Sequence, residues 1–303
     1  MNYNCFLKDV TQRVCEAVSG TMTVEVGAVA KNNGVTLDSL MIHRPGETVC
    51  PNIYINPLYE QYLNGATVDQ IVERILLTYR SAVPAAEIDP ETLLNPEIIL
   101  SQVVYRLVNY EKNERLLEDI PYKPVLDLAL IYYVMVHTEE FGDGAIMVRN
   151  DLLAYYNLTK EEVDRAAKEN TARLLPADFM GIRELMREMG EIIGVKSYKD
   201  LSLEEEAVAS PLYVLTNRQR LFGAYYMTDE SLLSEISRKL DSDLFLIPSS
   251  VHECMVVPTE IWEEKDTLSD MVREINHTQV SEQDFLADTI YRYNAGEKRL
   301  VVA

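Results

Sequence analysis

Leu244-Phe245-Leu246-Ile247-Pro248-Ser249-Ser250-Val251-His252-Glu253-Cys254-Met255-Val256-Val257 sets two four-residue apolar runs either side of a polar hexapeptide. Runs of this length, bounded by turn residues, read as short buried strands. A connection this short goes with antiparallel sheets. Upstream of these runs, Leu212–Leu215 reads as a strand, Asn217–Arg220 as a turn and Phe222–Met227 as the return strand. Thr228 caps a helix through Leu240, with Leu232, Leu233, Ile236 and Leu240 inward. Beyond Val257, one helix ends near Asn276, another starts at the Ser281 cap, and Asn294-Ala295-Gly296 turns into a terminal strand, Leu300-Val301-Val302. The order ββαββαα-β with short connections predicts an α+β fold of mainly antiparallel sheets with flanking helices.

The N-terminal third forms a second pattern. Phe6, Val10, Val14 and Ala17 recur at helical spacing, then Met22, Val24, Val26 and Ala28 alternate at strand spacing. Lys31-Asn32-Asn33-Gly34 is a hairpin turn, since Asn-Gly tolerates positive φ. Strands at 35–43 and 50–55 follow, then helices opened by Asn56-Pro57 and Thr67. This α-β-β-β-α-α unit spans 1–82. Residues 83–96, with three prolines and several acids, read as a linker to a C-terminal domain over 97–303. In the middle segment 99–108 is apolar and β-branched, 110–119 helical, and Val125–Val136 a second apolar run. Thr159-Lys160-Glu161-Glu162 is a capping box opening a helix to about Arg173, and a further amphipathic helix covers about 181–193.

The 303 residues carry 49 acids against 28 bases, a formal charge of −21. A protein that tracks phosphates needs the opposite balance, so direct nucleic-acid binding is disfavoured. The acidity is spread along the chain, densest at Glu204-Glu205-Glu206, and reads chiefly as a solvated face that also suits a basic protein partner. The Val125–Val136 run is too short for a membrane span. No secretory pattern opens the chain, and Cys5, Cys15, Cys50 and Cys254 include no C-x-x-C, so buried free thiols and a cytoplasmic location are expected.

Phosphate-loop, dinucleotide and nucleophile-elbow signatures are absent, and Asp241-Ser242-Asp243 lacks the rest of a calcium loop, so no cofactor or metal is implied. Ser250, His252 and Glu253 are the candidate catalytic residues, because a hydroxyl, an imidazole and a carboxylate can supply a nucleophile and a base. On a strand Ser250 and His252 share a face and Glu253 does not. A zinc reading lacks the second histidine of H-E-x-x-H; His277, or His137 with Glu139, are the distant alternatives. The competing reading is a structural turn in which the serines and His252 satisfy the fold's own polar groups. Asn32, Asn33, Tyr54 and Asn276 are the candidate binding residues. Asp127 interrupts an apolar run and is expected at a strand end or facing outward. The 18 tyrosines outnumber the other aromatics, and the pairs Tyr132-Tyr133, Tyr155-Tyr156 and Tyr225-Tyr226 are expected, where the local structure is extended, to send one ring inward and one towards solvent.

Four stretches, Lys31-Asn32-Asn33-Gly34, Cys50-Pro51-Asn52-Ile53-Tyr54-Ile55-Asn56, Val108-Asn109-Tyr110-Glu111-Lys112-Asn113 and Pro248–Glu253, together with Val272–Asn276 and Asp288–Tyr291, resemble an uncharacterised bacterial family. It is catalogued as domain of unknown function 5688 and is common in gut Firmicutes and their mobile elements. The resemblance implies a cytoplasmic bacterial protein and carries no activity with it. Cys50 stands where a small hydroxyl residue would be expected before Pro51, which argues against a catalytic role there. Two functions compete. The preferred one is a protein-binding or regulatory module, in a narrower form a nucleic-acid-mimicking inhibitor. The alternative is a hydrolase or metal-dependent enzyme centred on Ser250, His252 and Glu253.

Overall fold

Asn2 accepts the Cys5 N–H at 2.9 Å and so caps α1 (Tyr3–Ala17), satisfying one of the donors a helix start leaves open. The computed structural model describes residues 1–18, 22–43, 52–82, 95–138, 142–185, 187, 212–248, 250–261, 273–274, 276, 278 and 280–303. Phe6, Val10 and Val14 form one fully buried stripe on α1. Cys5 and Cys15 fall off that stripe and are exposed, which corrects the expectation of buried thiols there; Cys254 is buried.

The stripe packs on a three-stranded antiparallel sheet in the order β1 (Thr23–Ala30), β2 (Thr36–His43), β3 (Ile53–Tyr54). Asn33 and Gly34 take successive positive φ angles, 61° and 70°, which is the turn the Asn-Gly pair predicted. Helices α2 (Asn56–Leu63) and α3 (Val68–Ala82) complete the layer. Leu40, Ile42, Ile55, Ile71 and Ile75 close over Phe6, Val10 and Val14. Each such buried side chain contributes about 1.5–3 kcal/mol. Asn56 begins α2 rather than capping it, and its side chain instead accepts the Asp38 N–H at 2.8 Å.

The chain divides into two compact units, 1–99 with 135–146, and 100–134 with 147–303. Where 99–108 read as one β-branched run, α4 (Pro96–Gln102) precedes β4 (Val103–Asn109). The Asn95 side chain accepts the Ile98 N–H, and that local cap outweighs the β-branched composition. After α5 (Glu114–Asp119), β5 (Tyr122–Val125) and β6 (Leu128–Thr138) form a hairpin, giving the order β4-β6-β5; β7 (Gly142–Met147) pairs with β6. Helices α6 (Asn150–Tyr156) and α7 (Lys160–Leu174) follow, α7 opening on the predicted Thr159–Glu162 capping box. α7 packs on β4, where Thr171 Oγ1 accepts the Tyr105 N–H at 2.9 Å. That bond satisfies a donor on the edge strand.

The second sheet of this unit runs β13-β12-β10-β11-β9-β8, with every neighbouring pair antiparallel. Its strands are β8 (Ala177–Gly181), β9 (Tyr213–Asn217), β10 (Leu244–Pro248), β11 (Cys254–Pro258), β12 (Tyr291–Asn294) and β13 (Arg299–Val302), with α8 (Glu230–Leu240) between β9 and β10. The two apolar runs at 244–257 pair as predicted, Leu246 opposite Val256. Three expectations fail here. Asp229 and not Thr228 caps α8, its carboxylate accepting the Ser231 and Leu232 N–H groups. Phe222–Met227 is no strand: Phe222 takes φ 60° and a 3-10 helix covers Gly223–Thr228. Ser281 opens a turn and not a helix, its hydroxyl and carbonyl both serving Asp284. The strands β8 and β12 had no counterpart among those expected from the sequence. The architecture is a mixed α+β fold with antiparallel sheets and flanking helices. Among the described residues no helix is long and apolar enough to cross a membrane. The linker 83–94, the acidic run at 204–206 and nearly all of the helix expected beyond Leu185 lie outside the described residues.

Candidate functional site

The β10–β11 connection is held by backbone bonds before any side chain acts. Ser250 N–H reaches Glu253 O at 3.4 Å, and Val251 N–H donates to Asp284 O at 2.8 Å. Thr216 Oγ1 donates to His252 O at 2.8 Å, and Ala224 N–H to Val251 O at 3.4 Å. Val251 is fully buried. The loop is thereby tied to β9, to the 3-10 helix and to the 281–284 turn.

Within this frame Ser250 and His252 meet through the backbone. Ser250 Oγ accepts the His252 N–H at 3.1 Å. The imidazole turns the other way: Nδ1 accepts the Phe222 N–H at 3.3 Å, and Nε2 lies 3.3 Å from Asp284 Oδ1. An accepting Nδ1 places the proton of the neutral ring on Nε2, so Nε2–H donates to the carboxylate. Asp284 is steadied in turn by Ser281 Oγ, which donates to Oδ2 at 2.7 Å. Glu253 is half-buried. Asp284, missed from sequence, was signalled by Ser281-x-x-Asp284, a spacing that lets a hydroxyl and a carboxylate bond each other's neighbourhood.

The same imidazole lies parallel to the Phe222 ring, 6.2 Å between centroids and 14° between planes. Tyr133 packs on Phe222 at 5.1 Å. Arg106, projecting from β4, lays its guanidinium over both rings, 5.0 Å from the Phe222 centroid and 5.5 Å from that of Tyr133. Its Nη1 donates to Tyr133 Oη at 3.3 Å, while Nε is buried without an acceptor. A lone charge inside the apolar run Val103-Val104-Tyr105-Arg106-Leu107-Val108 was its signal in the sequence.

The candidate binding residues separate. Asn32, Asn33 and Tyr54 gather in the first unit: both asparagines are buried in the turn, and Lys31 Nζ donates to Tyr54 Oη at 2.6 Å. Beside them Ser39 Oγ donates to Asn52 Oδ1 at 2.8 Å. Asn276 is in the second unit, buried, with Nδ2 donating to Ala287 O and Asp288 Oδ1, both at 3.0 Å. His277 and Glu139 lie outside the described residues, as does the His137 side chain. Among the described residues no group of three or more His, Cys, Asp or Glu is placed to hold a metal.

The tyrosines serve carboxylates. Tyr105 and Tyr132 both donate to Asp164 Oδ1, at 2.7 and 2.9 Å, and Lys123 Nζ lies 3.3 Å from Oδ2. Burial alone would raise the Asp164 carboxyl, but those hydroxyls and the ammonium outweigh it and hold it below the usual carboxylate range. Burial first, then the hydrogen bond to Asp164 and its charge, pushes both phenols up. The inward–outward split expected of extended segments fails for Tyr132-Tyr133, both buried on β6; Tyr225-Tyr226 are also buried, but in the 3-10 helix, outside the condition of that expectation. β6 is covered on both faces, and the 3-10 helix lacks the two-residue alternation of a strand. Asp127 sits at the β5–β6 turn, its carboxylate accepting from Tyr291 Oη at 2.7 Å and Thr289 Oγ1 at 2.9 Å.

An open groove of about 600 Å³ lies where α8 ends beside β10 and β12. Arg238, Asp241, Asp243, Glu260 and Arg292 line it with several hydroxyls. Arg292 pairs with Asp243 at 2.7 Å. Mixed charge and few apolar groups distinguish it from the apolar pockets that enclose small molecules.

No curated protein and no solved structure matches this chain. Residues 3–295 match the family model described as "Family of unknown function (DUF5688)", a span that takes in the turn at 31–34, the β10–β11 loop and the Arg106 stack. The chain belongs to that family.

Proposed function

We propose that this chain is a protein-binding or regulatory module. The observation that carries the reading is the engagement of His252 on both ring nitrogens, by Phe222 N–H and by Asp284. A general base needs a nitrogen within reach of the nucleophile's proton. Here Ser250 Oγ meets the His252 backbone and not its ring. The loop is therefore a tie between strands, and recognition falls to surfaces such as the groove around Asp243 and Arg292. A formal charge of −21 favours a basic partner through long-range attraction.

The test is cross-linked capture from native extract followed by reconstitution with purified components, using wild type, Ser250→Ala and a groove variant, Arg238→Glu with Glu260→Arg. Expected is one partner whose affinity falls as salt rises, is retained by Ser250→Ala and is lost in the groove variant. Turnover of an ester, amide or phosphoester substrate that disappears in Ser250→Ala would put the hydrolase first.

A further inference from the structure

In a chain where acids outnumber bases 49 to 28, an arginine ordinarily finds a carboxylate. Arg106 has none within ion-pair distance among the described residues. Among the described residues its single hydrogen-bond acceptor is the Tyr133 hydroxyl. Two buried rings fix the plane of the guanidinium, Phe222 at 5 % exposure and Tyr133 at 9 %. Phe222 is itself fixed: its backbone is in the left-handed region, its N–H is bound by His252 and the imidazole lies against its ring. Holding an aromatic residue at positive φ costs about 1 kcal/mol or more, so the stack that orients Arg106 is maintained against a local preference.

The guanidinium has two unlike ends. Nε is buried and without an acceptor. Nη2 also has no acceptor among the described residues, yet it is not one of the buried atoms. What the fold leaves open to solvent is the Nη end, with the Tyr133 hydroxyl alongside. Two parallel N–H groups on a rigid plane match the two oxygens of a carboxylate. We infer that the Arg106 guanidinium, pinned against Phe222 and Tyr133, is a binding site for the carboxylate of a small organic acid.

Charge favours that class over phosphate. One guanidinium balances a monoanion, whereas a phosphate dianion would enter a strongly acidic protein with half its charge uncompensated. The cation–π contacts leave the hydrogen-bonding edge free while holding the plane, so little conformational entropy is lost when a ligand arrives. The site is independent of the groove at Asp243, and a protein-binding function does not require it.

The full-length, ¹⁵N-labelled protein is titrated with the monoanions sodium acetate and sodium propionate, and separately with sodium phosphate, at constant ionic strength set by sodium chloride. The arginine Nε–H cross-peak that vanishes in Arg106→Lys identifies the group. Expected is a saturable shift of that peak with the carboxylates, followed by the Phe222 and Tyr133 amides on the same isotherm. In Arg106→Lys, which keeps the charge and loses the fork, those amides should respond at about a tenfold higher concentration or not at all. Tyr133→Phe, which keeps the guanidinium and removes the hydroxyl, should weaken the response. No saturable shift with any of the anions would overturn the site. Saturation by phosphate at lower concentration than by carboxylate would overturn the ligand class.

Discussion

His252 and Phe222 are joined twice: the ring of each lies parallel to that of the other, and His252 Nδ1 accepts the Phe222 backbone N–H at 3.3 Å. The bond supplies an acceptor to a donor that no regular element serves, since Phe222 sits at φ 60° between β9 and the 3-10 helix. A histidine met in sequence as a candidate base thus organises a chain reversal 30 residues away.

Truncating it should be costly. His252→Ala leaves the Phe222 N–H and Asp284 without their partner, and a loss of about 1–3 kcal/mol is expected from denaturant unfolding. A double-mutant cycle with Asp284→Ala should show a coupling of about 0.2–1 kcal/mol, because both side chains keep part of their surface in water. An unchanged midpoint in His252→Ala would remove the structural assignment.

Gly223 is the tightest point of the same reversal. A Cβ there would overlap the His252 carbonyl oxygen and Thr216 Oγ1, and stand 2.8 Å from Thr216 Cα. Backbone has no cheap way to retreat. Gly223→Ala should therefore cost about 3 kcal/mol or more, with hydrogen exchange accelerated at Ala224, whose N–H would lose the Val251 carbonyl. Wild-type protection in that variant would contradict the packing.

Asp164 makes stability depend on acid. Its carboxyl is held below the usual range in the folded chain, so as pH falls the unfolded chain takes up the proton first. The contribution is complete above the ordinary carboxylate value of about 4 and is lost as pH drops towards the lower folded value. Asp164→Asn should lower stability at neutral pH and flatten the decline below about pH 4. Urea midpoints across pH 2.5–7, at about 0.1 M salt, would show parallel curves if the carboxylate were immaterial.

Tyr291→Phe tests the tie between the β5–β6 turn and β12. The hydroxyl donates to Asp127 at 2.7 Å, and Thr289 remains as a second donor. A loss of about 1–2 kcal/mol is expected, with Thr289→Val, Tyr291→Phe worse than either change alone because the carboxylate would then lose both donors. Chemical denaturation of the three variants checks the order.

Features carried by a few adjacent residues were legible in the sequence. The Phe6–Val10–Val14 stripe, the Asn33-Gly34 turn, the Thr159–Glu162 capping box and the pairing of 244–247 with 254–257 each follow from local spacing, and the structure has all of them. Local signals misled where another part of the chain outbid them. The apolar residues at 222–227 have strand composition, but the reversal anchored by His252 winds them into a 3-10 helix. The tyrosines read as half-exposed were drawn inside by carboxylates, Asp164 lying 59 residues from Tyr105 and 32 from Tyr132.

The α+β class, the family and the excess of negative charge can all be read from the residues in order, since each is a property of composition or of neighbours along the chain. It took the tertiary packing to turn His252 towards Asp284 rather than Ser250, and to stand Arg106 on two rings with no carboxylate in ion-pair distance among the described residues. Those pairings join residues 27 to 116 positions apart, Arg106 with Tyr133 the nearest and with Phe222 the farthest. Side chains that far apart in sequence meet only through the packing of strands and turns, which no local periodicity encodes.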